Sequence, residues 1–255
     1  MLKFLESGHK YESVTPDGRK WLGVTTLISK FKIPFDSSIV YKNVQDPTSK
    51  WYDMDPQKVL KIWAKERDRS TTVGSQFHKR MEDGETAPKA TYHIKDGWKY
   101  AGSQKLDPGV YPEHFIYNDQ YTICGQADRV EITNAGIVNI SDYKSNKKID
   151  REGFRGKKML RPVQHLDDCH LSHYSLQMSL YMWMILQENP LYSAGTLTLQ
   201  HVKFKVTGQD KNGYPIIAKD KNGNYVYESV TPIVVPYLEK EVLSILSVLV
   251  PAHLR

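Results

Sequence analysis

The sequence predicts an α/β fold, and three observations predict it. Between residues 110 and 144, three strand-like segments follow one another with turn signals between them. Apolar residues recur at helical spacing before this meander (Val73, Phe77, Met81) and at the end of the chain (Leu238, Val242, Ile245, Leu246, Leu249). Between the meander and the end a helix is expected from about Leu171 to Gln187, ended by Asn189-Pro190, with an alternating segment after it. A chain of 255 residues can bury a sizeable core. It reads as one domain, with a hairpin and helices in 1–83 and a core in 84–255.

The elements follow in order. Tyr11 to Val24 reads as a short hairpin turned at Pro16-Asp17-Gly18. Thr25 or Thr26 is placed to cap a short helix running to Phe31. Pro56 suits the first turn of a longer helix carrying Val59, Leu60, Ile62 and Trp63. A second helix is expected from Thr72 to Glu82. Val110–Tyr117 reads as a strand, Asn118-Asp119 as a turn, and Tyr121–Ile132 as the next strand. Asn134-Ala135-Gly136 then turns the chain into a strand over 137–144. Thr196–Val206 alternates as a strand does, and Tyr237–Leu249 reads as a packing helix. Asp210-Lys-Asn-Gly213 and Asp220-Lys-Asn-Gly223 read as hairpin turns that need positive φ. They lack the further oxygen ligands of a calcium loop.

Composition narrows the function classes. Two cysteines, Cys124 and Cys169, are too few for a disulfide framework or a cysteine-held metal cluster. No apolar run approaches the ~20 residues that span a bilayer. The N-terminus is too poor in apolar residues for a signal peptide, so a cytoplasmic protein with no membrane partner is expected. The net charge of +6 suits a polyanionic partner such as nucleic acid. Lys147, Lys148, Arg151, Arg155, Lys157, Lys158 and Arg161 lie close together, against Asp150 and Glu152 alone. That run fits a phosphate-holding border or a solvated loop.

One strand end carries the chemistry. In Ile140-Ser-Asp-Tyr-Lys144, residues two apart share a face, so Val138, Ile140, Asp142 and Lys144 point the same way. Burying either charge unpaired would cost several kcal/mol, so this end must meet a cleft, a metal or a counter-charge. On the preceding strand Asp128 shares its face with Cys124, Val130 and Ile132, and a hairpin can bring it near Asp142. Two close carboxylates repel unless a cation lies between them, and oxygen ligands at short range suit Mg2+ or Mn2+. Lys144 could then orient a water or meet charge on a phosphate. An isolated Asp-x-Lys reads first as an ordinary surface salt bridge.

Further pieces accompany this pair. Gly74 and His78 are one helical turn apart, and His78 offers an imidazole. Glu113 lies on the strand before that of Asp128. Gln177 and Tyr181 project together from the helix after the lysine. Trp98, Tyr100 and Tyr111 are candidates for stacking on bases, or for the core.

The ordered set Gly74-x-x-x-His78, Glu113, Gly125-x-x-Asp128, Asp142-Tyr143-Lys144 and Gln177-x-x-x-Tyr181 resembles the PD-(D/E)xK nuclease superfamily, and within it the RecB-like branch of Cas4-type and phage-encoded nucleases. Trp21 to Ile28 is similar to the opening of the phage members. The resemblance implies a restriction-endonuclease-like core, a mixed central sheet flanked by helices, with an N-terminal helical segment. It implies that His78, Asp128, Asp142 and the carbonyl of Tyr143 hold Mg2+ or Mn2+, with Glu113 assisting. Lys144 would act on the attacking water, Gln177 and Tyr181 would position the strand, and Lys147 and Lys148 would border it. The superfamily pattern has proline before its first aspartate, where this chain has Ala127. Relatives with an iron–sulfur cluster use four cysteines, so no cluster is expected here. The implied activity is a metal-dependent deoxyribonuclease, an exonuclease of phage replication, recombination or end processing. Its partner is DNA, and a recombinase or helicase is compatible. A DNA-binding protein without chemistry and an RNA-directed nuclease are the alternatives.

Overall fold

The computed structural model describes residues 2–5, 10–14, 20–36 and 38–249. The described chain forms two compact units. The larger comprises residues 1–33, 81–202 and 230–255, and the smaller 34–80 and 203–229.

The larger unit is a mixed sheet flanked by helices. Its strands run in the order β12 (Tyr227–Val235), β9 (Ser193–Phe204), β8 (Ile137–Lys144), β7 (Ile123–Ile132), β3 (Leu22–Gly23), with β6 (Gly109–Asn118) also on β7. β6–β7 and β7–β8 are antiparallel, whereas β3–β7 and β8–β9 are parallel. The return from β8 to β9 uses α4 (His170–Glu188) as its crossover, as a parallel pair requires. From Ser175 to Ile185 every α4 side chain is buried. A helix that is apolar on all sides belongs inside, and α4 packs on β6, β7 and β8 as well as on α1 (Val24–Ser29) and α5 (Glu239–Ser247). A second sheet, β2 (Lys10–Ser13), β1 (Leu2–Leu5), β5 (Trp98–Ala101), β4 (Tyr92–Lys95), is antiparallel throughout. It buries Leu2, Phe4 and Ala101 with Phe115 and Cys124.

The smaller unit holds α2 (Ile39–Gln45), most of α3 (Pro56–Asp83), and the hairpin of β10 (Val206–Gln209) and β11 (Pro215–Ile217). Val40, Trp51 and Val59 form its core, with Trp63 and Tyr214 against them. Phe77 meets Phe204 and Tyr227 edge-on at centroid distances of 5.9 and 5.5 Å. Both Asn-Gly turns have the expected left-handed glycine, Gly213 at φ 77° and Gly223 at φ 82°.

Several local expectations change. The two helices of 56–83 are one; across the polar stretch between them the Thr71 and Thr72 hydroxyls donate to the carbonyls of Arg67 and Asp68, and Arg69 pairs with Glu66. The first helix is capped by Gly23, with no side-chain hydrogen bond from Thr25 or Thr26, and ends at Ser29. β2 pairs with β1 and β3 pairs with β7, so Tyr11–Val24 is not a hairpin of its own. Its turn residues, Pro16 to Gly18, lie outside the described residues. β7 starts at Ile123, after Thr122 at φ 50°. β9 starts at Ser193 and ends at Phe204, and Val206 opens a separate strand. Among the described residues no helix is long and apolar enough to cross a membrane.

Candidate active site

The site forms where β7 loses its neighbours along one edge. On one side β7 is paired to β6 from Ile123 to Ile132, with a break at Asp128. On the other side β8 pairs only with Arg129–Ile132, and β3 only with Ile123 and Cys124. Gly125 to Asp128 lie between these two pairings. β8 continues beyond the split, held by β9 as far as the pair Lys144–His201. The backbone N–H of Tyr143 therefore finds no carbonyl on β7, and it donates to Asp128 Oδ2 at 2.6 Å. A carboxylate takes the place of a ladder acceptor, and the two strand ends are tied at the point where they part.

Beside that tie, Asp142 is 1% exposed and Lys144 Nζ lies 2.6 Å from its Oδ2. The lysine side chain is 18% exposed, so the pair is largely shielded from solvent. Burial works against the Lys144 ammonium, but the charges of Asp142 and Asp128 outweigh it and drive its pKa upward. Lys144 Nζ also sits 4.8 Å from the ring centroid of Tyr174, whose hydroxyl donates to Asn146 Oδ1 at 2.7 Å.

Glu113 stands opposite Asp128. The β6–β7 ladder runs from Pro112–Arg129 to His114–Ala127 and skips this pair. Glu113 has φ 47°, a left-handed conformation in mid-strand, and its carbonyl accepts from Gln126 Nε2 at 3.1 Å. Carboxylate oxygens of Glu113 and Asp128 lie within 4.8 Å of each other. Such a pair repels unless a cation or proton is shared. The neighbouring His114 is fully buried, and its Nδ1 has no hydrogen-bond partner among the described residues. Burial lowers its pKa to about 4, so it is neutral at physiological pH.

From below, Gln177 Nε2 donates to Asp142 Oδ1 at 3.4 Å and to the Tyr181 hydroxyl at 3.3 Å. Both residues are buried, behind the carboxylate. Burial raises the Tyr181 phenol well above its ordinary pKa, so it stays protonated. The Tyr181 ring lies against Gly125: a Cβ there would stand 2.5 Å from Cε1 and 2.9 Å from the hydroxyl oxygen. Glycine at 125 is what admits the ring.

The larger unit thus brings together Glu113, Asp128, Asp142, Tyr143, Lys144, Gln177 and Tyr181. His78 lies on α3 in the smaller unit. Lys147 and Lys148 are exposed, as are the other five basic residues up to Arg161, and Lys148 pairs with Asp150 at 3.1 Å. Tyr111 is no stacking platform. It is fully buried, and its hydroxyl donates to the Asp107 carbonyl at 3.0 Å. Trp98 is covered by Lys3, and Tyr100 stacks on His93 at 5.0 Å. Tyr174 is a residue that motif reasoning passed over. Its signal was available, since Tyr174, Gln177 and Tyr181 stand at i, i+3 and i+7 on one face of α4. No family model matches this chain, and no curated protein matches it either.

Proposed function

We propose that this chain is a divalent-metal-dependent DNA nuclease of the PD-(D/E)xK superfamily, RecB-like branch, with a restriction-endonuclease-like core. In this reading it acts as an exonuclease in phage replication, recombination or end processing. The observation that carries the proposal is the shielded Asp142–Lys144 pair at 2.6 Å, on a strand end tied to Asp128, which itself faces Glu113. The donor set fits Mg2+ or Mn2+, because hard cations of this size prefer carboxylate and carbonyl oxygen. Asp128 and Asp142 would hold the ion, with Glu113, the carbonyl of Tyr143 and the imidazole of His78. Bound there, the ion supplies a nucleophile at neutral pH and draws charge from the phosphate.

The protein's own groups divide the remaining work. Without an ion, the charges of Asp142 and Asp128 favour the Lys144 ammonium. As a cation it would orient the attacking water and meet charge developing on the phosphate. Gln177 fixes the Asp142 carboxylate, and Tyr181 fixes Gln177.

The test is cleavage of end-labelled single- and double-stranded DNA with Mg2+, Mn2+ or chelator, with a labelled RNA in parallel. Cleavage is expected with either ion and not with chelator, and release of mononucleotides from an end marks an exonuclease. Asp142→Ala and Lys144→Ala should each lower the rate about a hundred-fold or more, with circular dichroism unchanged. Full activity in Asp142→Ala refutes the assignment.

A further inference from the structure

We infer that the smaller unit is the protein's anchor for a nucleic-acid strand, and that it grips phosphates with a lysine face on α3. The inference rests on the nucleic-acid partner proposed above, and it goes beyond that reading by naming a surface of the unit that does not carry the carboxylates.

The charge of the molecule is divided very unevenly. Residues 34–80 and 203–229 carry fourteen Lys and Arg against nine Asp and Glu, a net of +5. The rest of the chain carries twenty-one against twenty, a net of +1. Nearly all of the chain's +6 therefore sits on the smaller unit, although the site-bearing unit is more than twice its length. A polyanion is attracted to where the charge is.

Within that unit the charge is ordered. Lys58, Lys61 and Lys65 fall at i, i+3 and i+7 on α3, one per turn, over about 10 Å. The same line continues through Asp68, Thr72, Gln76 and Lys79, and all seven residues are exposed, so the three lysines lead the row and its one acid is Asp68, paired with Arg67. Lys58, Lys61 and Lys65 make no ion pair among the described residues, whereas Arg67 pairs with Asp68 and Arg69 with Glu66. Like charges a turn apart repel, and the first turn of α3 contains no acid. Helix stability gives no reason for this row. The same unit exposes Phe35, Tyr41 and Tyr52, flat surfaces on which unpaired bases stack.

A lipid surface would want a helix whose other face is free to enter the bilayer boundary. Here that face carries Val59, Val73 and Phe77, which are buried. The face that remains is polar and opens with three lysines in a row, which suits a strand of phosphates.

The experiment uses the full-length protein with chelator present, so that nothing is cut. Binding of a fluorescent single-stranded 30-mer is followed by anisotropy across a salt series. Lys58→Gln/Lys61→Gln/Lys65→Gln should weaken binding about ten-fold or more and flatten the salt slope by about two, at about 0.7 per lost phosphate contact. An equal loss of charge on the larger unit, Lys30→Gln/Lys95→Gln/Lys240→Gln, should change affinity less than two-fold and leave the slope intact. Equal losses in the two variants, or no loss in the first, overturn the inference. So does a wild-type preference for vesicles of anionic lipid over the oligonucleotide. Because the readout needs no cleavage, a protein that binds through the lysine face and cuts nothing would refute only the nuclease reading.

Discussion

Glu113 bears two costs. A non-glycine residue held at φ 47° in mid-strand costs about 1–3 kcal/mol. Its carboxylate also faces that of Asp128 across the strand pair, where like charges oppose pairing. A cation between the two would offset the second cost. Glu113→Gln should therefore raise the melting temperature of the chelated protein, by about 2–4 °C if about 1 kcal/mol is recovered. Mn2+ should then stabilise the variant less than the wild type, which a thermal melt with and without the ion measures. Equal stabilisation of both by Mn2+ would remove Glu113 from the ion's surroundings. The sequence pattern could pick out Glu113 as a carboxylate on the right strand. It could not reveal the twisted backbone, because glutamate has no preference for that conformation and no glycine marks the spot. Asp142 and Lys144 were more legible, since a charged pair sharing a face with Val138 and Ile140 contradicts its own strand.

At the scale of elements, the contact between α4 and β7 rests on one absent methyl group. Gly125→Ala would set its Cβ 2.5 Å from the Tyr181 ring, inside a packed core. Overpacking of this kind costs about 1–3 kcal/mol, and the displaced ring would carry Gln177 away from Asp142. The variant should unfold at lower urea and cleave more slowly. Gly125→Ala/Tyr181→Leu should recover stability but not rate. Unchanged stability in the single variant would show that the ring moves freely. Most elements could be read from the sequence because their signals are local: alternation in β6 to β8, the apolar run and Asn189-Pro190 stop of α4, the periodic apolar face of α5. α3 was read as two helices because its middle, Lys65–Thr72, has no apolar residue. The partners of β2 and β3 were not legible either. Pairing β3 with β7 joins residues a hundred positions apart, and a two-residue strand has almost no pattern of its own.

For the whole molecule, the main consequence is that the smaller unit is assembled from two distant segments. Trp51 and Val59 of the first pack with Tyr214 of the second, and Phe77 meets Phe204 and Tyr227. A segment of under fifty residues is marginal as an independent fold. A peptide of residues 34–80 alone should show poorly dispersed amide resonances, and fusing 203–229 to it through a flexible linker should spread them. A well-dispersed spectrum from 34–80 alone would contradict this. No break in hydrophobic pattern announces such a unit, because each segment reads as an ordinary stretch until the other is beside it. The bare length of β7, Gly125 to Asp128, has a further consequence for how this protein can be improved. Lengthening β3, or extending the β7–β8 ladder by a residue or two, would add backbone hydrogen bonds and toughen the sheet. It would also close the strand edge at which Asp128 accepts from the Tyr143 N–H. Selection for heat resistance and selection for access thus pull on the same few backbone amides in opposite directions.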